Sequence, residues 1–206
     1  MVVDVYLVPF SGETIESTVT NDASIIEYWI LKNVKIFQER HNIIGLNCKW
    51  EPHPMNIISS SKGHNISTMQ FCVDTKCLIL QLSHMNYNDI PQSLKSFLND
   101  SNNTFVGIEV EELVSTLKNE YGVCCNETVF DLRALAKRRF PLSFGGRPGL
   151  KTLAYELVKL PVSKPNKRFL RDFKTLNKKL DKDQAKSASI DAYASYRIGQ
   201  KLLMKI

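Results

Sequence analysis
The sequence predicts an α/β domain: one mixed β-sheet flanked by helices and entered through an N-terminal β-hairpin. Three observations carry this. The first 20 residues are β-rich and alternate around Ser11-Gly12. From Ile43 onward, short apolar runs give way in turn to stretches whose apolar residues recur at three- and four-residue spacing. The chain has 206 residues, 43% of them hydrophobic and 23% charged, which is a globular composition with enough length for a core. That balance excludes disorder, collagen-like repeats and a disulfide-stapled miniprotein. The length fits a single domain over 1–206, with the hairpin of 1–20 packed on it.

The elements follow in order. Val2–Phe10 and Thr14–Val19 read as the hairpin strands. Asp22 is a plausible N-cap for a helix carrying Ile25, Ile26, Trp29, Ile30, Val34 and Phe37 on one face. Ile43–Trp50 is a buried strand, and 53–66 is polar enough to be a loop. Met69–Val73 and Cys77–Leu82 form a second hairpin about Asp74-Thr75-Lys76. Pro91 opens a helix with Leu94, Phe97 and Leu98 inward. Thr104–Val110 is a strand, and Glu111–Tyr121 is an amphipathic helix closed by Gly122. A short apolar piece leads into a basic helix ending near Arg139. Residues 141–149 are a loop, Leu150–Leu160 a helix, and Pro161 with Pro165 keeps the next stretch non-helical. The last helix spans about Lys182 to Leu203.

Charge is uneven. Residues 151–206 hold 14 basic and 5 acidic side chains, while 1–150 hold 13 and 16. Such asymmetry points to an anionic partner, nucleic acid first. No apolar run reaches the roughly 20 residues that cross a bilayer, so no membrane is expected. The N-terminus lacks a basic stretch before its apolar residues, unlike a signal peptide. The five cysteines contain no C-x-x-C and read as reduced thiols.

Four segments in order carry a resemblance. They are Ile43-Ile44-Gly45-Leu46-Asn47-Cys48-Lys49-Trp50-Glu51-Pro52, Thr104–Val110, Pro148–Ala154, and Ile190-Asp191-Ala192-Tyr193-Ala194-Ser195-Tyr196-Arg197-Ile198-Gly199. Together they resemble the Werner-type and ribonuclease-D-type 3′–5′ exonucleases of the DnaQ-like superfamily, from about residue 23 to the end. The resemblance implies a ribonuclease-H-like fold and phosphodiester hydrolysis with divalent cations, Mg or Mn. Within that superfamily the chain is most similar to the plant RISC-interacting clearing exoribonucleases. That closer likeness implies a cytoplasmic homohexamer that degrades single-stranded RNA and associates with Argonaute proteins.

The family holds two metals about 4 Å apart with four carboxylates, so that attacking and leaving oxygens are both stabilised. Its first motif places Asp-x-Glu on one strand face. Asn47 and Lys49 stand there in this chain. Counting along the second motif lands on Leu113, with Glu111 and Glu112 adjacent. The last motif, Tyr-x-x-x-Asp, becomes Ser187 and Asp191. Asp191 is then the one metal ligand kept by position, and Lys49 is able to act as a point charge on phosphate. Two readings follow. The leading one is a 3′–5′ exoribonuclease whose catalysis uses a rebuilt site, with Glu111, Glu112 or Asp131 completed across a subunit interface; the alternative is an inactive exonuclease-like RNA-binding or scaffold protein.

Simpler roles compete. Asp131 also suits an N-cap before Leu132, and Glu111 and Glu112 complement a helix dipole. Trp50 suits the core, and the four histidines lack metal-ligand spacing. For RNA contact the candidates are Lys137, Arg138, Arg139, Arg147, Lys151, Lys167, Arg168 and Arg171, interleaved with Phe140, Phe144, Phe169 and Phe173. Cations hold phosphates while aromatic rings stack on bases.

Overall fold
A computed structural model describes residues 3–34, 42–52, 64–85, 89–144, 146–163 and 180–204. Seven strands make one mixed sheet: β1 (Val3–Phe10), β2 (Glu13–Thr20), β3 (Asn42–Pro52), β4 (His64–Val73), β5 (Lys76–Leu80), β6 (Asn103–Gly107) and β7 (Val129–Asp131). Their spatial order is β1-β2-β5-β4-β3-β6-β7. β2 runs parallel to β5, and β3, β6 and β7 run parallel to one another, while the remaining neighbours are antiparallel.

Six helices among the described residues cover the two faces. These are α1 (Ala23–Asn33), α2 (Gln92–Asn99), α3 (Val110–Tyr121), α4 (Leu132–Arg139), α5 (Leu150–Val158) and α6 (Lys182–Leu203). On the first face Ile26, Trp29 and Ile30 of α1, Leu94 and Phe97 of α2 and Leu113 and Leu117 of α3 pack on Ile44, Leu46, Phe71 and Leu78. On the second, Leu132 and Ala136 of α4, Leu153 of α5 and Ala192, Tyr193 and Ile198 of α6 pack on Val8, Ile15, Cys77 and Val106.

Local chemistry sets the ends. The Asp22 carboxylate accepts from the Ser24 and Ile25 amides at 2.9 and 3.4 Å. The Ser24 hydroxyl bond, ahead of the amide bonds, holds the Asp22 carboxyl below its usual range. Asp181 and Gln184 form a reciprocal capping box that starts α6 at the expected residue. Gly122 closes α3 with φ 59°.

Two expectations need correction. The strand read as Thr104–Val110 ends at Gly107, because Glu109 takes φ 59° and Val110 already begins α3. Residues 64–66, read as the end of a polar loop, belong to β4, where Ile66 is fully buried. Phe37 and residues 53–63 of the expected loop lie outside the described residues.

α6 lies unusually close to the sheet. A Cβ on Gly45 would sit 2.1 Å from the Ala192 carbonyl oxygen and 2.6 Å from the Tyr196 amide nitrogen. Those are backbone atoms, which cannot swing aside, so only glycine allows this approach. The result is to lower the α6 turn that carries Asp191 onto the middle of β3.

Candidate functional site
Alternation along β3 decides what meets α6. Cys48 and Trp50 face the first-face core. Asn47 and Lys49 point the other way, like Gly45, towards α6. The Lys49 ammonium donates to Asp191 Oδ2 at 2.5 Å, and the two side chains keep only 20% and 15% of their surface. The β3–β4 register shifts between Lys49 and Trp50, where Ser67 is the extra residue on β4 opposite this contact.

A polar layer continues across the sheet. Gln70 pairs with Asn47 and Thr68 with Lys49. Gln70 Nε2 donates to the Thr68 hydroxyl at 2.6 Å. Gln70 Oε1 and Asn47 Nδ2 are buried without a partner among the described residues.

This donor set does not fit two divalent ions. A metal ligand must offer a lone pair, and the Lys49 ammonium has none. Asn47 buries its amide nitrogen here. Leu113, the position counted for a further carboxylate, is 2% exposed in the first-face core. Asp191 alone of these four is a carboxylate, and Lys49 already neutralises it. Among the described residues, no three His, Cys, Asp or Glu side chains converge as a metal site.

A second cluster stands at the carboxyl ends of β6 and β7. The helices that follow them leave for opposite faces, α3 to the first and α4 to the second. Adjacent parallel strands whose helices diverge leave a crevice, the habitual ligand position in such sheets. The crevice here encloses about 470 Å³. Asp131 braces it from below: Oδ1 accepts from the Arg133 amide at 2.7 Å and Oδ2 from the Glu109 amide at 2.8 Å. Arg133 in turn reaches Glu109 Oε1 at 3.2 Å and the Pro148 carbonyl at 2.9 Å. Glu111, Glu112, Lys137, Phe144 and Arg147 complete the lining. Glu112 and Glu109 also lie near the Cys48 thiol, whose pKa burial, chiefly, pushes up to about 12, with Lys49 opposing the rise and those carboxylates adding to it.

The pattern of relatives agrees with this architecture. The family model described as 3′–5′ exonuclease matches residues 30–206. The chain belongs to the 3′–5′ exonuclease family. A curated Arabidopsis thaliana 3′–5′ exonuclease is 32% identical over 157 residues, 75% of this chain and 50% of that protein. The chain thus spans about half the length of that relative. Trypanosoma brucei ribonuclease D in complex with the RNA U12 has a TM-score of 0.71 at 15% identity, covering 92% of this chain and 63% of its own. The Aedes aegypti Nibbler exonuclease domain has a TM-score of 0.66 at 13% identity, covering 89% and 85%. The mixed sheet with helices on both faces is the fold of these exonucleases.

Within this exonuclease fold, the sequence-derived candidates separate into two groups. Asn47, Lys49 and Asp191 meet under α6. Glu111, Glu112 and Asp131 share the crevice with Lys137 and Arg147. Asp131 takes up the N-cap role, with both oxygens holding backbone amides. Arg138 and Lys151 are exposed. Arg139 is tied to the Leu202 carbonyl at the end of α6, at 3.3 Å, which makes it a helix brace. Lys167, Arg168, Arg171, Phe169 and Phe173 lie outside the described residues. Trp50 packs on the core, and Phe144 is 8% exposed beside Phe140 at 6.3 Å between centroids. Sequence reasoning missed Gln70, Glu109 and Arg133. Gln70 had a signal, because Thr68 and Gln70 repeat the polar i, i+2 pattern of Asn47 and Lys49 on the next strand. Glu109 and Arg133, 24 residues apart, had none.

Proposed function
We propose that this exonuclease-family chain binds single-stranded RNA without two-metal hydrolysis, the Lys49–Asp191 ion pair standing where the family's metal centre would be. The carrying observation is the 2.5 Å contact of Lys49 with Asp191. Four carboxylates balance two divalent ions in the family site. Here one carboxylate is already neutralised, and two further dications in a partly dry cleft would be uncompensated at high cost. RNA as the ligand is supported by the exposed Lys137 and Arg147 of the crevice, by exposed Arg138 on α4 and Lys151 on α5, and by the shared fold of an RNA-bound ribonuclease D.

A second reading is favoured by one observation, the convergence of Glu111, Glu112 and Asp131 in one crevice. It makes the chain a 3′–5′ exoribonuclease with a rebuilt site, using Mg or Mn. It brings with it the finer expectations of a cytoplasmic homohexamer that clears fragments from Argonaute complexes. The engagement of both Asp131 oxygens with amides weighs against it.

One experiment separates the two. Purified protein is incubated with 5′-labelled single-stranded RNA in Mg²⁺ or Mn²⁺, with binding followed in parallel. Binding without shortening is expected; stepwise shortening overturns the first reading. Asn47→Asp with Lys49→Glu rebuilds the first motif, and a melting temperature that rises with Mn²⁺ only in this variant is expected.

A further inference from the structure
We propose that the crevice between the ends of β6 and β7 is a guanine-nucleotide site, selected by Glu111. This rests on the reading of the chain as an RNA binder and names the base that its crevice takes. At about 470 Å³ the crevice falls within the roughly 300–1,000 Å³ common for small-ligand sites. Its lining divides into three chemistries. Lys137 and Arg147 are exposed cations with no hydrogen bond or ion pair among the described residues, suited to a phosphate. Phe144, buried at 8% exposure and held by its edge contact with Phe140, gives the crevice an apolar floor. The third part is carboxylate.

The carboxylates are not equivalent. Both Asp131 oxygens hold backbone amides, and Glu109 is held by Arg133. Glu111 is exposed and makes no hydrogen bond or ion pair among the described residues. A free carboxylate accepts two parallel hydrogen bonds. Guanine alone of the four RNA bases presents two adjacent donors on one edge, N1–H and the N2 amine. Adenine and cytosine set a ring nitrogen lone pair beside their amine, and uracil flanks its single N–H with two carbonyl oxygens. Those lone pairs would meet the carboxylate oxygens. Cationic charge and a free carboxylate acceptor therefore select a guanine base with its phosphate, above an apolar floor.

The test uses the full chain. Free GMP, AMP, CMP and UMP are titrated by calorimetry, and fluorescent 12-nucleotide RNAs with and without guanine are followed by polarisation. GMP is expected to bind roughly tenfold more tightly than the others, within the range for one bidentate base contact. Glu111→Gln should reduce that preference to about twofold or less, and Arg147→Ala should weaken all four nucleotides alike. Equal affinity for the four nucleotides, or a preference unchanged by Glu111→Gln, overturns the site. RNA binding without base preference leaves the RNA reading standing and removes this one. A guanine preference among free nucleotides with no RNA binding does the reverse.

Discussion
At the residue scale, the Lys49–Asp191 pair behaves as a structural unit. With 20% and 15% of their side-chain surface left, neither ion is fully hydrated. Removing one strands the other, which costs several kcal/mol in a dry core and less where some solvent remains. Lys49→Ala and Asp191→Ala should each cost about 2 kcal/mol in urea unfolding. The apolar exchange Lys49→Met with Asp191→Leu should cost less than either alone. Single losses below about 0.5 kcal/mol would mean a solvated contact, unable to substitute for a metal centre. On the other side of the same strand, the Cys48 thiol has its pKa raised from an ordinary 9.0 to about 12, burial being the main cause. The folded state therefore holds this proton more tightly than the unfolded chain. That stabilisation is complete below about pH 9 and declines as pH rises towards 12. Melting between pH 8 and 10.5 should show a decline that is smaller in Cys48→Ala. Iodoacetamide should label exposed Cys124 well before Cys48 or Cys125, whose thiol burial pushes up to about 11.

At the scale of elements, one carboxylate joins two helices. Asp131 ends β7, caps α4 and also holds the Glu109 amide at the start of α3. Glu109 sits at φ 59°, a conformation costly for a side-chain-bearing residue, and the Asp131 bond is part of what maintains it. Asp131→Ala should therefore cost about 2 kcal/mol, the upper end for a lost cap, because two amides lose their acceptor. Thermal unfolding measures this. If Asp131 were instead a catalytic carboxylate idle in folding, the variant would be as stable as the parent. The sequence showed the cap, since an aspartate before Leu132 has that signature. It did not show the second amide, which arrives from 22 residues upstream through the register of β6 with β7. The same limit explains the strand that runs too long on paper. Ile108 and Val110 continue the apolar alternation of Thr104–Gly107, and only the left-handed turn at Glu109 breaks it.

At the scale of the molecule, periodicity was enough for the hairpin, the helices and the approximate span of α6, because each buries one face on one sheet. The separation of the two candidate clusters was not legible. Asn47 and Lys49 alternate with Cys48 and Trp50, one residue out of step, and which side meets Asp191 depends on α6 crossing the second face, a tertiary choice. The charge imbalance was legible as a prior, and its consequence is measurable. Among the described residues, Lys137, Arg138, Arg147 and Lys151 are exposed candidates for phosphate contact; Arg139 is exposed as well, but its guanidinium donates to the Leu202 carbonyl. Each phosphate neutralised on a single strand releases about 0.7 of a counterion. Four contacts give a slope of about −3 for log K against log salt concentration, steeper if Lys167, Arg168 and Arg171 also engage. Lys151→Ala should make the slope shallower by about 0.7 and weaken all sequences alike. Arg139→Ala should lower stability and leave the slope unchanged. A wild-type slope near zero would mean that these cations do not meet a polyanion, and RNA binding would fall with it.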